Sequence, residues 1–202
     1  RFPESVLTGG TAAALHARHR TSMDADYLLP DLKVRFQEIL KKVEQEAGWR
    51  TNRIEAPVLI LGNFQGVRTG IRQLVRSAPL ETTVVRGLRI PTSEEMLRIK
   101  GYLICRRNAT RDYVDFVALS DHLGVSKTLK ALEPFDQLYP QEGDTSITQQ
   151  LVIQLSEPKP WDLSGTDLSH YKSLQKPYTD WNEVIRRAHA VGQRVVVKKL
   201  QE

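Results

Sequence analysis

The chain contains one cysteine, Cys105, so it forms no internal disulfide. With no Cys or His neighbours at ligand spacing, Cys105 does not read as part of a structural zinc site. A chain this poor in thiols fits the cytoplasm as its compartment. No apolar run approaches the roughly 20 residues of a membrane span, no signal-like hydrophobic stretch is present, and no membrane partner is expected. Internal repeats and low-complexity tracts are also missing. What remains is ordinary globular material: 202 residues, 40% apolar and 26% charged, enough for one substantial core or a core with a smaller appended subdomain. The 29 Lys and Arg against 24 Asp and Glu give a net charge of +5. This modest excess is compatible with a nucleic-acid partner without requiring one.

The most informative stretch runs from Val6 to Leu29. Ser5-Val6-Leu7 is a short apolar run that ends in Gly9-Gly10, and Thr11 to His16 is Ala- and Leu-rich, good helix-forming sequence. A strand therefore feeds a helix through two glycines, which lets the backbone approach a ligand closely and leaves the first helical N–H groups free for a phosphate. Thr11 can cap that helix or offer its hydroxyl to the same phosphate. In Met23-Asp24-Ala25-Asp26-Tyr27 the acids Asp24 and Asp26 project to one face of a strand, about 7 Å apart. Such a pair can share hard divalent cations, as Mg²⁺ is held by one or two carboxylates plus substrate phosphates at phosphoryl-transfer sites. Taken singly, a Gly-Gly pair is a common turn and a D-x-D on a surface strand is commonly two solvated acids. Thirteen residues between Gly10 and Asp24 make the two a combined signal.

The runs Gly9-Gly10-Thr11-Ala12 and His19-Arg20-Thr21-Ser22-Met23-Asp24-Ala25-Asp26 resemble the signature of the AbiEii/AbiGii toxin family of nucleotidyltransferases, part of the DNA polymerase β-like superfamily. A later block, Leu97-Arg98-Ile99-Lys100, Arg107 and Arg111-Asp112-Tyr113-Val114-Asp115, matches the family's lysine, basic residue and acid pair. The resemblance covers roughly Val6 to Leu119. It implies a mixed α/β (α+β) fold, with a sheet flanked by helices, that binds a Mg²⁺-nucleoside triphosphate. The activity it implies is transfer of a nucleotidyl group to a hydroxyl acceptor, with tRNA or another RNA as a candidate, in a toxin that has a cognate antitoxin. By the same resemblance Asp24 and Asp26 hold the metal, Gly9, Gly10 and Thr11 position the β- and γ-phosphates, and Lys100, with Arg111 or Arg72, offsets charge on the leaving pyrophosphate.

The remaining sequence supplies the frame and one departure. Between Asp31 and Trp49, Leu32, Phe36, Ile39, Leu40 and Val43 have helical spacing, with Asp31 as a cap, and this helix is expected to cover a sheet. Residues 56–63, 66–74 and 82–90 read as antiparallel strands. Polymerase β-like sites commonly draw a third carboxylate from the strand after the D-x-D strand, yet Val67 to Leu74 contains no acid. Arg68, Gly70 and Arg72 share one face there, and Glu81 lies further on. Either the site works with two carboxylates, or Asp112 supplies the third from a helix, or the site does not turn over.

A helix starts at Pro91-Thr92-Ser93-Glu94-Glu95, and Met96, Ile99 and Leu103 form its stripe with Lys100 beside it. A second helix spans residues 111–122. There Arg111 and Asp115 are spaced for an intrahelical ion pair, and Asp112 is a candidate third acid or the base that takes the acceptor's proton. His19 lies in the matched motif, and a helix-end histidine satisfying carbonyls is the other reading open for His16 and His19. Residues 126–139, 146–156 and 180–189 look helical, and 195–199 is open to strand or helix. Helices dominate after residue 124, so a nucleotidyltransferase-like domain is placed at 1–124 and a mainly helical region at 125–202. Two other readings stay open. One is a non-catalytic nucleotide- or partner-binding module with the same fold, and the other a metal-dependent phosphohydrolase.

Overall fold

Leu32, Phe36, Ile39 and Val43 recur every three or four residues, which places them on one stripe of a helix, and all four are buried. A computed structural model describes residues 2–143 and 145–201 of the chain. Its elements are β1 (Val6–Thr8), α1 (Gly9–Ala17), β2 (Asp24–Leu29), α2 (Leu32–Glu44), β3 (Trp49–Glu55), β4 (Leu59–Phe64), β5 (Val67–Gln73), β6 (Thr82–Val85) and β7 (Leu88–Pro91). Helices follow: α3 (Ser93–Arg107), α4 (Thr110–Leu123), α5 (Val125–Leu132), α6 (Phe135–Leu138), α7 (Ile147–Ser156) and α8 (Trp181–Lys199). They form two compact units. One comprises Arg1–Ala12 and Ser22–Thr92, the other Ala13–Thr21 and Ser93–Glu202. The expected division at residue 124 falls inside the second unit, between α4 and α5.

The first unit is built on a five-stranded sheet in the order β1-β2-β5-β4-β3, with β2 and β5 parallel and the other pairs antiparallel. Alternation along the strands sends Leu29, Ile60 and Ile71 to one face, where they join the α2 stripe in a single core completed by Phe2, Leu40 and Trp49. The opposite face carries Asp24, Asp26, Arg68 and Arg72 beside the apolar Leu28, Leu59 and Leu61. Residues 82–90, read from sequence as one strand, form the hairpin β6–β7, because Arg86 and Gly87 adopt φ of +52° and +77° in a two-residue turn. Strand β3 was not expected from the sequence. It is an edge strand, Trp49-Arg50-Thr51-Asn52-Arg53-Ile54-Glu55, mostly exposed and too polar to show an apolar rhythm.

In the second unit α3 packs on α4 and α7, and α7 on α8. Gly101 permits the close approach: a β-carbon there would lie 3.1 Å from Leu151 Cδ2 and 3.4 Å from the Phe116 and Phe135 rings. Pro134 divides residues 126–139 into α5 and α6. The open segment 195–199 is the last part of α8, with Val195 on its buried side. No helix among the described residues is long and apolar enough to cross a membrane.

Ile60 lies in the centre of the sheet core and is fully buried. Ile60→Ala is expected to lower stability by about 2–5 kcal/mol, the usual range for such a deletion, read as a shift of the urea midpoint at unchanged slope.

Candidate active site

Gly9 opens α1 with φ of +66°, a left-handed conformation that favours glycine. Space constrains the position as much as torsion does. A β-carbon on Gly9 would stand 3.0 Å from Asp26 Oδ2, and one on Gly70 would stand 2.3 Å from Asp26 Oδ1. The Asp26 carboxylate therefore fills room left by two glycines, one in the turn and one on the neighbouring strand. Register sets this arrangement, since Gly70 lies opposite Asp26, Arg68 opposite Asp24 and Arg72 opposite Leu28. The turn is tied to the acid strand through the main chain. Thr8 Oγ1 donates to the Asp26 carbonyl at 3.2 Å, and Thr11 Oγ1 donates to the Asp24 carbonyl. The Thr11 hydroxyl proton is thus used inside the protein, so the backbone N–H groups of Gly10, Thr11 and Ala12 are the donors that α1 has to offer. Its first turn contains no acid to oppose an anion.

The side chains of Asp24 and Asp26 are each 32% exposed. Asp24 Oδ1 is shielded from solvent and receives no hydrogen bond, although Arg68 Nε stands 2.8 Å away. That contact is an ion pair without hydrogen-bond geometry. Arg72 Nε lies 3.5 Å from Asp26 Oδ1, beyond an ordinary N–H···O bond. Two carboxylates on one strand face, one of them with an undonated and shielded oxygen, suit a hard divalent cation completed by substrate oxygens and water. Among the described residues no group of three or more His, Cys, Asp or Glu could hold a metal. Glu81 is exposed just before β6 and is not on β5.

The later motif block forms a buried charge network in the second unit. Lys100 Nζ lies 2.6 Å from Asp115 Oδ2 and 3.1 Å from Asp112 Oδ1, and all three side chains are at most 1% exposed. Arg107 donates to Asp112 through Nε at 2.5 Å and Nη2 at 2.8 Å. Asp115 receives Arg20 Nε at 2.8 Å and Nη2 at 3.1 Å, and His19 Nε2 lies 2.7 Å from its Oδ1. Burial alone would raise the Asp115 carboxyl, but Lys100, Arg20 and His19 outweigh it and hold the group well below the usual carboxylate range. Asp112 is lowered in the same way, burial being overcome by Lys100 and Arg107.

This geometry bears on each expected role. The Lys100 ammonium is enclosed and shared between two carboxylates, and Asp112 is occupied by two cations, so neither is presented to solvent. The cations of this block nearer solvent are the half-buried Arg107 and the exposed Arg111. The Arg111–Asp115 pair that their spacing suggested does not form, because Asp115 points inward to Lys100. His19 caps no carbonyl with Nε2; that atom engages Asp115, while its Nδ1 is buried without a partner. Sequence reasoning passed over Gly70 as a site-building residue, and gave Asp115, recognised in the acid pair, only an ion-pair role with Arg111. The signal for Gly70 was its place between Arg68 and Arg72 on the strand beside the D-x-D.

No family model matches this sequence. The chain is similar to the heme uptake protein MmpL11 of Mycobacterium tuberculosis, 37% identical over an alignment of 128 positions that covers 58% of this chain and 12% of that protein. It is also similar to the mycolic acid-containing lipids exporter MmpL11 of Mycolicibacterium smegmatis, 34% identical over 124 residues, 58% of this chain and 13% of that protein. The chain thus spans only a small fraction of the length of these relatives. Among solved structures it is similar to an H. pylori protein described as a nucleotidyltransferase, with a TM-score of 0.51 and 18% identity, covering 98% of this chain and 89% of that one. The mixed five-stranded sheet flanked by helices is the nucleotidyltransferase fold.

Asp115→Asn removes the carboxylate shared by Lys100, Arg20 and His19. A loss of about 3–5 kcal/mol at neutral pH is expected. Asp112 and Asp115 are depressed in the folded state, so their stabilisation is complete above the unfolded carboxylate value of about 3.9 and is lost as pH falls through their folded values. Acid-unfolding curves by circular dichroism are expected to show a shallower acid limb in Asp115→Asn than in the native chain.

Proposed function

We propose that the chain is a metal-dependent nucleotidyltransferase that moves a nucleotidyl group from a nucleoside triphosphate to a hydroxyl acceptor. The observation that carries this reading is the Asp26 carboxylate lodged between Gly9 and Gly70 beside the donor-free oxygen of Asp24. A strand-to-helix glycine turn and an acid pair joined in this way would put phosphate donors next to cation ligands. Asp24 and Asp26 would hold Mg²⁺, whose charge would neutralise the α-phosphate as the acceptor oxygen attacks. Gly9 would shape the turn, and Gly10 and Thr11 would direct main-chain N–H groups at the β- and γ-phosphates. Arg72, exposed on the same sheet face, would offset charge on the departing pyrophosphate.

In the second unit, Lys100 and Asp112 would act through the network they hold in place, fixing Arg107 and Arg20, while Arg111 is exposed at the start of α4. The resemblance of both motif blocks to the AbiEii/AbiGii toxins supports a role as the toxin of a toxin–antitoxin pair in the cytoplasm, with a cognate antitoxin as partner. The basic balance suits tRNA as acceptor. One observation favours the second reading, a nucleotide-binding module without turnover: β5 offers arginines and a glycine where an acid would complete the metal site.

The experiment is incubation with Mg²⁺, each labelled ribonucleoside triphosphate in turn and bulk tRNA, with Asp24→Ala alongside. Label is expected on RNA with the native chain and to fall by at least about a hundredfold in the variant, the scale of losing one group that stabilises transition-state charge. Binding without transfer for every nucleotide would favour the non-catalytic module, and equal transfer by both proteins would overturn the site.

A further inference from the structure

Arg68 and Arg72 flank Gly70 on one face of β5, and each lies against an acid of the proposed metal pair. Their side chains are 76% and 43% exposed. Long, exposed and held by single ion contacts, they are weakly retained, since surface pairs of this kind are individually feeble and screened by salt. The acids they touch are adjacent on one strand face and need a counter-charge. Near Asp24, the Arg68 guanidinium supplies that charge without giving Oδ1 a hydrogen bond, so the oxygen's lone pairs stay available. A divalent cation seeking the same oxygens competes directly with the two guanidiniums. A triphosphate chain offers those guanidiniums an alternative, because the planar arginine fork binds phosphate oxygens as readily as carboxylates.

We propose that Arg68 and Arg72 are exchangeable counter-ions. They occupy Asp24 and Asp26 when neither cation nor nucleotide is bound, and pass to the phosphate oxygens when a divalent cation takes the carboxylates. This rests on the reading of the sheet face as a nucleoside triphosphate site. Its consequence is coupling: each ligand removes the competitor of the other, so cation and triphosphate bind together more tightly than either binds alone, by the same factor in both directions.

The test uses the full chain and two probes, neither of which requires turnover. Mn²⁺ is titrated without nucleotide, with free Mn²⁺ read by electron paramagnetic resonance. Inorganic tripolyphosphate is titrated by calorimetry in the presence of a chelator. Arg68→Gln and Arg72→Gln are each expected to tighten Mn²⁺ binding about two- to fivefold, the scale of releasing an exposed ion pair, while weakening tripolyphosphate binding. Arg50→Gln removes the same charge from β3 and is expected to change Mn²⁺ binding far less. Asp24→Asn is expected to strengthen metal-free tripolyphosphate binding, and Arg68→Gln in that background to cancel the gain. Mn²⁺ binding that is lost in Asp24→Asn but unchanged or weakened in the arginine variants would overturn the exchange and leave the metal site standing. Mn²⁺ binding indifferent to Asp24→Asn would overturn the site itself and the exchange with it.

Discussion

A lysine ammonium enters a protein interior only with counter-charge beside it, and the helical unit is arranged around meeting that demand for Lys100. Asp112 and Asp115 answer it from α4, at 3.1 and 2.6 Å. Two buried carboxylates around one ammonium leave an excess of negative charge, and Arg107 and Arg20 offset it while His19 completes the hydrogen bonding of Asp115. The faces that α3 and α4 turn towards each other follow from this set, because any other rotation would strand a charge in apolar surroundings. Gly101, next in sequence to Lys100, lets neighbouring helices come close enough for the network to be sealed from water.

The sheet unit solves a different problem, which is room. A carboxylate pressed against a turn and a neighbouring strand needs both to lack side chains, and Gly9 and Gly70 meet that need from opposite directions. Threonines at positions 8 and 11 then fix the turn to the acid strand through its carbonyls rather than through the acids. The acids are left free of strong donors while their backbone is fixed. On the proposed reading, that combination would leave the carboxylates to an incoming cation without loosening the strand that presents them.

Much of the sheet unit was legible in the sequence. Apolar residues at helical spacing announced α2, and the Gly-Gly turn and D-x-D, each common alone, stood out because they occur together at thirteen residues' spacing. The edge strand β3 was not legible, since a mostly exposed strand has no buried face to impose a rhythm. The β6–β7 turn was missed because Arg86, unlike Asn or Gly, gives no sign of positive φ. For the later block the residues were recognised but their direction was not. Whether Asp115 faces Arg111 or Lys100 depends on which side of α4 is covered, and local spacing carries no such information.

The short run Ala13–Thr21 belongs to the helical unit, although the residues before and after it in sequence belong to the sheet unit. The polypeptide thus leaves one unit and returns to it within the thirteen residues that separate Gly10 from Asp24. Neither unit is a continuous length of chain. A gene fragment ending after residue 92 would carry off His19 and Arg20, and the remainder would keep Asp115 and Lys100 without them. The thirteen residues between the glycine turn and the acid pair thus hold the nine-residue excursion Ala13–Thr21 with two residues on either side.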